Sequence, residues 1–407
     1  MINNIAYKLS KSVFPCVMLT LCIGFCYAFS LFIPHIVETI GCTVTQARFA
    51  FCLNIFFLGM GAACFGPLAE RHIRLSALAS SVLLVLGLAV SGLACHFKSL
   101  WLLYLGSGVL CGISEGSGYV TPNKNMLLWF PNSKFKGILT AISIFTFGLG
   151  SSLCACLFGL LIKPIGIENT FYALAAIYAV PMAVSTLLIN KPRYALIELK
   201  KTSKSEFSYL QTMKNGYFQK CWLFMFINIS MGLVLIGTCA TLLSELGFSN
   251  STIVLLMMLC GVFNGAGRLV FPMIGDLLVN RSIVWFITAA FELVLMIPII
   301  LAYAQGVCVL LAAICIVLIH AGYGSAFACL PSILADHFGK KQLSQLHGFC
   351  LTSWGMASLM AFVCSTFVLK CFSGYMPMMV VVFFGYMFNT IVSSSIATHT
   401  KNESDIP

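Results

Sequence analysis

Three formally charged residues lie well inside long apolar runs of the sequence: Glu115, Arg268 and Glu292. A charged side chain at the centre of a bilayer costs about 2.5–3.5 kcal/mol on insertion scales, so it is usually kept where it faces a cavity and binds something. The guanidinium of Arg268 is a planar fork that can bind a carboxylate through two hydrogen bonds. These residue types predict a binding site for a small anion, with Arg268 as its main ligand.

Asn264 precedes Arg268 by one helical turn on the same face, which makes it a second candidate ligand. Two structural interpretations compete with substrate binding. Arg268 could form a fixed ion pair with Glu115 or Glu292, or its long side chain could extend to the cytoplasmic edge of the bilayer.

Glu115 precedes Tyr119 by one helical turn. A carboxyl in an apolar medium favours its neutral form, so Glu115 is a candidate to take up a proton that travels with the anion. The alternative is a fixed counter-ion to Arg268, and the sequence leaves both roles open.

His320, Tyr323 and Phe327 are spaced i, i+3, i+7 and so share one helix face. His320 is a second candidate for proton coupling, although an interior histidine is more often simply hydrogen-bonded. For the aromatic residues, ordinary helix packing is an equally good explanation.

The composition explains which elements must position these residues. Of 407 residues, 60% are hydrophobic and 9% are charged, whereas a soluble domain has about 25% charged residues. A bilayer-spanning helix needs about 20 apolar residues. Twelve such runs lie near residues 13–34, 47–69, 75–95, 99–122, 137–162, 169–190, 221–243, 252–275, 282–304, 306–331, 348–369 and 374–397. We therefore predict an all-α membrane protein of twelve transmembrane helices, numbered spans one to twelve.

The basic stretch 191–220 divides the chain into an N-terminal six-helix half (1–190) and a C-terminal six-helix half (221–407). One set of loops holds most of the lysines and arginines, and the opposite set holds only Arg48, Lys98, Lys163 and Lys370. The positive-inside rule then places both termini in the cytoplasm. Because the net charge of +11 is spread over separate loops, topology explains it without a nucleic-acid partner.

Landmarks of the first half recur in order in the second. Gly66-Pro67-Leu68-Ala69-Glu70-Arg71 ends span two, and Pro272-Met273-Ile274-Gly275-Asp276 ends span eight. Gly118-Tyr119 in span four has its counterpart in Gly322-Tyr323-Gly324 of span ten. Two pseudo-symmetric halves with a binding site between them near the midplane are a known transporter plan.

The loop after span two, Gly66-x-Leu68-Ala69-Glu70-Arg71-x-x-Arg74, resembles the signature of the major facilitator superfamily. It departs from the usual pattern at Glu70 (usually Asp) and Ile73 (usually Gly). The second copy keeps Asp276 and Arg281 but has Pro272 where Gly is usual. The resemblance assigns a conformational role to a set of loop residues: Glu70, Arg71, Arg74, Asp276 and Arg281.

A narrower resemblance is to the oxalate/formate antiporter family of monocarboxylate-porter-like carriers. It rests on motifs in order along the chain: Gly24-x-x-Tyr27-Ala28-Phe29, Gly116-x-Gly118-Tyr119-x-x-Pro122, Phe147-Gly148-Leu149-Gly150, Asn264-Gly265-x-Gly267-Arg268, Tyr323-Gly324-x-x-Phe327 and Thr352-x-Trp354-Gly355.

The narrower resemblance implies that the span-eight arginine contacts the substrate carboxylate and that Tyr323 and Phe327 line the cavity, with Tyr27, Tyr119 and Trp354 as further candidates. In the oxalate carriers a lysine supplies a second cation in span eleven, where this chain has Trp354. One buried cation favours a monocarboxylate such as formate, lactate or pyruvate over a dicarboxylate. The peripheral place of span nine in the superfamily suggests a packing role for Glu292.

We therefore expect a secondary carrier of a small organic anion, working by antiport or proton symport in a bacterial inner membrane, as a monomer. A carrier of amino acids or dicarboxylates is the main alternative. A membrane-embedded enzyme or a transporter-like sensor is disfavoured, since the sequence has no clustered acid–base residues and no large soluble domain. The 19 cysteines are scattered without metal-ligand spacing, so we expect no metal and no cofactor.

Overall fold

A computed structural model describes residues 2–130, 136–192, 209–338, 343–372 and 374–398 of the chain. Within these ranges every regular element is a helix. The helices of the N-terminal part are Ile2–Lys11, Val13–Ile23, Gly24–Leu31 (3₁₀), Ile33–Ile40, Val44–Arg71, Ile73–His96, Leu100–Leu103, Tyr104–Leu110 (π), Cys111–Trp129 and Lys136–Leu188. Those that follow are Tyr209–Lys214, Gly216–Glu245, Asn250–Leu277, Ile283–Gln305, Val309–Phe338, Leu343–Cys350, Thr352–Cys371 and Met376–Ala397.

These helices confirm the all-α fold of twelve transmembrane spans, and the span numbers are kept for them. Ten of the described helical stretches are long and apolar enough to cross a bilayer. One of them belongs to the helix Lys136–Leu188, which breaks at Gly166 (φ 71°, ψ 177°) into spans five and six. A left-handed φ of this kind is open to glycine at little cost. Span four is divided among three shorter helical segments between residues 100 and 129.

The structure adds a short helix before span one and another before span seven. A short helix, Ile2–Lys11, precedes span one and carries Lys8 and Lys11 in its last turn. Span seven already begins at Gly216, inside the stretch predicted as a linker, and the helix Tyr209–Lys214 lies immediately before it. Residues 193–208 of that linker lie outside the described residues, and the division into 1–190, 191–220 and 221–407 stays a prediction.

The site is positioned by close packing of a few spans. Span eight packs along span ten and span five, and span two packs along spans four and eleven. Gly267 allows spans eight and ten to approach closely, because a Cβ atom at this position would overlap the carbonyl oxygen of Ala321. The five–eight and two–eleven contacts join the two halves, and the central side chains lie between them.

Candidate functional site

Arg268 is the centre of the site. It lies in the interior of span eight and is 0% exposed. Its Nε donates a hydrogen bond to Oδ1 of Asn264 at 3.0 Å. The guanidinium carbon lies 5.1 Å from the ring centroid of Phe147 and 5.4 Å from that of Phe327, which is within cation–π range. Both Nη atoms are buried and have no hydrogen-bond partner.

The structure shows neither of the two structural alternatives for Arg268. Its complete burial rules out extension to the membrane edge. Among the described residues no carboxylate lies within ion-pair distance of it. Glu115 instead accepts a hydrogen bond from Asn54, and Glu292 accepts one from Asn228. The charge of Arg268 is therefore not balanced by a carboxylate of the described residues.

Phe147 and Phe327 lie against the guanidinium, and four further aromatic rings pack on these two. We call the six side chains the aromatic cage: Tyr27, Tyr119, Phe147, Tyr323, Phe327 and Trp354. They come from spans one, four, five, ten and eleven. The Trp354 ring lies 4.2 Å from Phe327 and 5.5 Å from Tyr119, centroid to centroid. All six are buried. A charge among buried rings acts through a lower dielectric than it would in water.

The cage also contains several buried polar atoms without a partner. These are Nη1 and Nη2 of Arg268, Nδ2 of Asn264, Nε1 of Trp354 and the hydroxyl of Tyr119. Buried polar groups in folded proteins are nearly always paired. Four of the five atoms can only donate, and the Tyr119 hydroxyl can do so. A cluster of unpaired donors around a cation is complementary to an anion with acceptor oxygens.

Glu115 belongs to a separate network in the first half. The π-helical segment Tyr104–Leu110 presents the Ser107 carbonyl to Nδ2 of Asn54 at 2.9 Å. The same nitrogen donates to Oε1 of Glu115 at 3.0 Å. Single π turns inside α-helices frequently occur at functional sites. Oε2 of Glu115 has no hydrogen-bond partner, and Cys26 of span one interacts electrostatically with both this carboxyl and Arg268.

His320 and Glu292 lie outside the aromatic cage. Nδ1 of His320 lies 2.8 Å from the carbonyl oxygen of Ile316, one turn earlier in the same helix. This is the hydrogen-bonded interior histidine that the sequence also allowed. Glu292 is fully buried against Asn228 of span seven and Gly322 of span ten, which agrees with a packing position.

The loop residues of the second repeat form an ionic cluster. Nε of Arg281 donates to Asp276 at 2.9 Å, and its Nη1 donates to both carboxylate oxygens of Asp336 at 2.9 and 3.0 Å. Burial by itself would lower the pKa of Arg281, but the hydrogen bonds and charges of the two aspartates outweigh it and raise that pKa. Arg281 therefore stays charged, and it joins the ends of spans eight and ten.

The loop of the first repeat makes backbone contacts instead. Nε of Arg74 donates to the carbonyl oxygen of Thr186 at 3.1 Å, and the carbonyl of Arg71 accepts from Nζ of Lys191 at 2.9 Å. The side chain of Glu70 lies outside the described part of the structure.

Sequence reasoning missed three residues that the structure brings to these networks. Phe147 stands in a motif of span five, yet nothing marked it as a ring beneath Arg268. Asn54 was detectable as a lone amide in the apolar run of span two. Cys26 gave no signal, because its role depends on where span one meets span four.

Comparisons with known proteins agree with this architecture. An Escherichia coli (strain K12) protein named "Uncharacterized MFS-type transporter YhjX" is 26% identical over 349 residues, which are 83% of this chain and 82% of the relative. A crystal structure of a D-xylose-proton symporter superposes with a TM-score of 0.73 at 14% identity, covering 98% of both chains. The E. coli xylose transporter XylE, in a partially occluded inward-open conformation, gives 0.69 at 13% identity over 96% of both chains. The family model of the Major Facilitator Superfamily matches residues 13–362. The chain therefore belongs to the Major Facilitator Superfamily and is a membrane transporter, not an enzyme.

Proposed function

We propose that this transporter carries a small organic anion with one carboxylate, such as formate, lactate or pyruvate. The observation that supports the proposal is the fully buried Arg268, whose two Nη atoms have no partner. Leaving a buried charge unpaired is strongly destabilising. A carboxylate bound to both Nη atoms would remove that penalty and would also accept from Asn264 or Tyr119.

The number and size of the groups around Arg268 favour a small monocarboxylate. Within the described residues the cage holds one cation, and by the resemblance to the oxalate carriers Trp354 stands at the position of their second cation, a lysine. A second carboxylate would therefore meet an indole ring. The unpaired indole nitrogen can donate to a hydroxyl or keto oxygen next to the carboxylate.

The substrate crosses by alternating access, and in our proposal Glu115 couples its transport to that of a proton. In our proposal its unpaired Oε2 takes up a proton as the anion binds, so that anion and proton cross together. If Glu115 instead stays in one protonation state throughout the cycle, the carrier works by exchange, as in the oxalate/formate antiporter family. We place the protein as a monomer in a bacterial cell membrane with both termini in the cytoplasm.

Uptake into proteoliposomes tests the substrate class. We expect labelled formate, lactate or pyruvate to accumulate, and D-xylose not to. Oxalate uptake should be weaker than that of the best monocarboxylate. Arg268→Gln should abolish uptake, and Arg268→Lys should retain a small part of it, because lysine keeps the charge without the planar fork. Equal transport by the wild type and Arg268→Gln would refute the anion site.

An amino-acid carrier is the second candidate, because Arg268 and Glu115 together could bind the two charges of a zwitterion. Labelled alanine belongs in the same uptake panel. Alanine uptake without formate, lactate or pyruvate uptake would replace the monocarboxylate proposal.

A further inference from the structure

Three side chains with metal-ligand chemistry meet outside the aromatic cage: Cys239 of span seven, Cys260 of span eight and His320 of span ten. Their ligand atoms all lie within 4.8 Å of one another, and all three residues are buried. Neither cysteine is in a disulfide. The three residues lie on three different helices, so it is the packing of these helices that brings them together.

The hydrogen bond of His320 fixes which ring nitrogen is available. Because the Ile316 carbonyl can only accept, Nδ1 carries the proton at the 2.8 Å contact. Nε2 is then an unprotonated lone pair. A histidine that donates one ring N–H to a backbone carbonyl while the other nitrogen binds metal is the usual arrangement in metal sites. The imidazole is thus held in the tautomer that leaves Nε2 free to bind an ion.

We propose that Cys239, Cys260 and His320 form a binding site for a soft monovalent cation, namely Cu(I). Thiolate ligands select Cu(I), zinc and iron–sulfur clusters, and imidazole suits copper and zinc. Structural zinc sites almost always have four protein ligands, whereas this cluster offers three in the described part of the chain.

Charge balance in the membrane interior is satisfied with one proton released. Cu(I) binds the sulfur of one cysteine as a thiolate, and that S–H proton leaves to water. The second cysteine stays a thiol, and the imidazole stays neutral. The site then carries no net charge, and no electron is transferred. Zn(II) would need both thiols deprotonated to reach the same neutrality, so the number of protons released distinguishes the two metals.

The position of the cluster indicates a resident ion and not a transported one. Transported substrates in this fold bind between the two halves, whereas spans seven, eight and ten all belong to the second half. Cys260 also precedes Asn264 by one turn and Arg268 by two, and His320 precedes Tyr323 by one turn. An ion here would tie together the helices that carry the anion site.

The test uses the purified full-length protein in detergent, titrated anaerobically with Cu(I) against a competing Cu(I) chelator, with ascorbate as the reductant. We expect Cys239→Ser, Cys260→Ser and His320→Gln each to weaken the tightest site at least about tenfold. Cys350→Ser removes a buried cysteine of span eleven and is the matched control, with affinity unchanged. X-ray absorption of the copper-loaded protein should show two sulfurs and one nitrogen, with the nitrogen lost in His320→Gln.

Two further readouts make the outcome decisive. Cu(I) should release one proton per ion in weak buffer and should raise the melting temperature of the wild type but not of the three variants. If the three variants bind Cu(I) as the wild type does, or if Cys350→Ser loses as much affinity as they do, the site is refuted. Tight zinc binding with release of two protons, and no tight Cu(I) site, would overturn the assignment to copper.

Discussion

The hydroxyl oxygens of Tyr27 and Tyr323 lie 3.2 Å apart, and their rings meet edge to face at 5.5 Å. Tyr27 belongs to span one and Tyr323 to span ten, so this hydrogen bond joins the two halves next to Arg268. We expect the movement of the halves during alternating access to break this contact, because the bond crosses between them.

Removal of either hydroxyl should weaken this closure. Tyr27→Phe leaves the buried Tyr323 hydroxyl unpaired, and Tyr323→Phe does the reverse, so each single variant should reduce kcat/KM for uptake. A double-mutant cycle should give a coupling of about 1 kcal/mol, or about fivefold, since the second deletion removes a group that is already unpaired. Additive effects of the two substitutions would mean that the bond does not contribute to transport.

Trp354→Lys should extend transport to a dicarboxylate. The substitution places a second cation in the cage, where it could bind the second carboxylate of a substrate whose first carboxylate, in our proposal, binds Arg268. We expect oxalate uptake to rise relative to formate or lactate uptake in the same proteoliposomes. Trp354→Leu is the control, because it opens the cage without adding charge. A rise in oxalate uptake with Trp354→Leu as well would show that space and not charge excludes the dicarboxylate.

Glu115→Gln should abolish the dependence of uptake on a proton gradient. In the wild type, uptake should increase as the external pH falls, because in our proposal a proton enters Oε2 before the anion crosses. The variant cannot change its charge and should give a flat profile in uptake measured across an imposed pH difference. Glu292→Gln, which alters the other buried carboxyl, should keep the slope of the wild type. An unchanged slope in Glu115→Gln would assign the protein to exchange.

Gly267→Ala should destabilise the fold, because its methyl group would overlap the Ala321 carbonyl and push span eight away from span ten. Overpacking of this kind costs about 1–3 kcal/mol. The melting temperature followed by intrinsic fluorescence should fall. Gly275→Ala lies in the same helix, and its Cβ would only touch Val284 at 3.7 Å, so its melting temperature should hold. Equal melting temperatures for both variants would mean that spans eight and ten can move apart to accommodate the methyl group without loss of stability.

Asp336→Asn should have a small effect that depends on salt. The Arg281–Asp336 pair is largely exposed, with 39% and 50% of the side-chain surfaces accessible, and such pairs contribute about 0–1 kcal/mol. We expect a modest change in transport rate at low ionic strength that disappears at about 1 M salt, where charges are screened within about 3 Å. A large change that persists in high salt would show that Asp336 acts through more than its charge.

The sequence alone determined the membrane fold and the most informative residue. Twelve apolar runs predict twelve spans because the bilayer imposes one length on every helix. The single helix Lys136–Leu188 corresponds to two of these runs. The three helical segments of span four correspond to one run. Arg268 stands out for a related reason: a charge in an apolar run is energetically expensive wherever the helix faces.

Only the tertiary structure decided what surrounds each of these residues. The sequence could not say whether Arg268 pairs with Glu115 or Glu292, because that depends on how spans four, eight and nine are rotated against each other. The same holds for Phe147 under the guanidinium and for Asn54 beside Glu115. Cys239, Cys260 and His320 show it most clearly. No spacing in the chain connects them, and they become neighbours only because three helices turn one face each toward a common point.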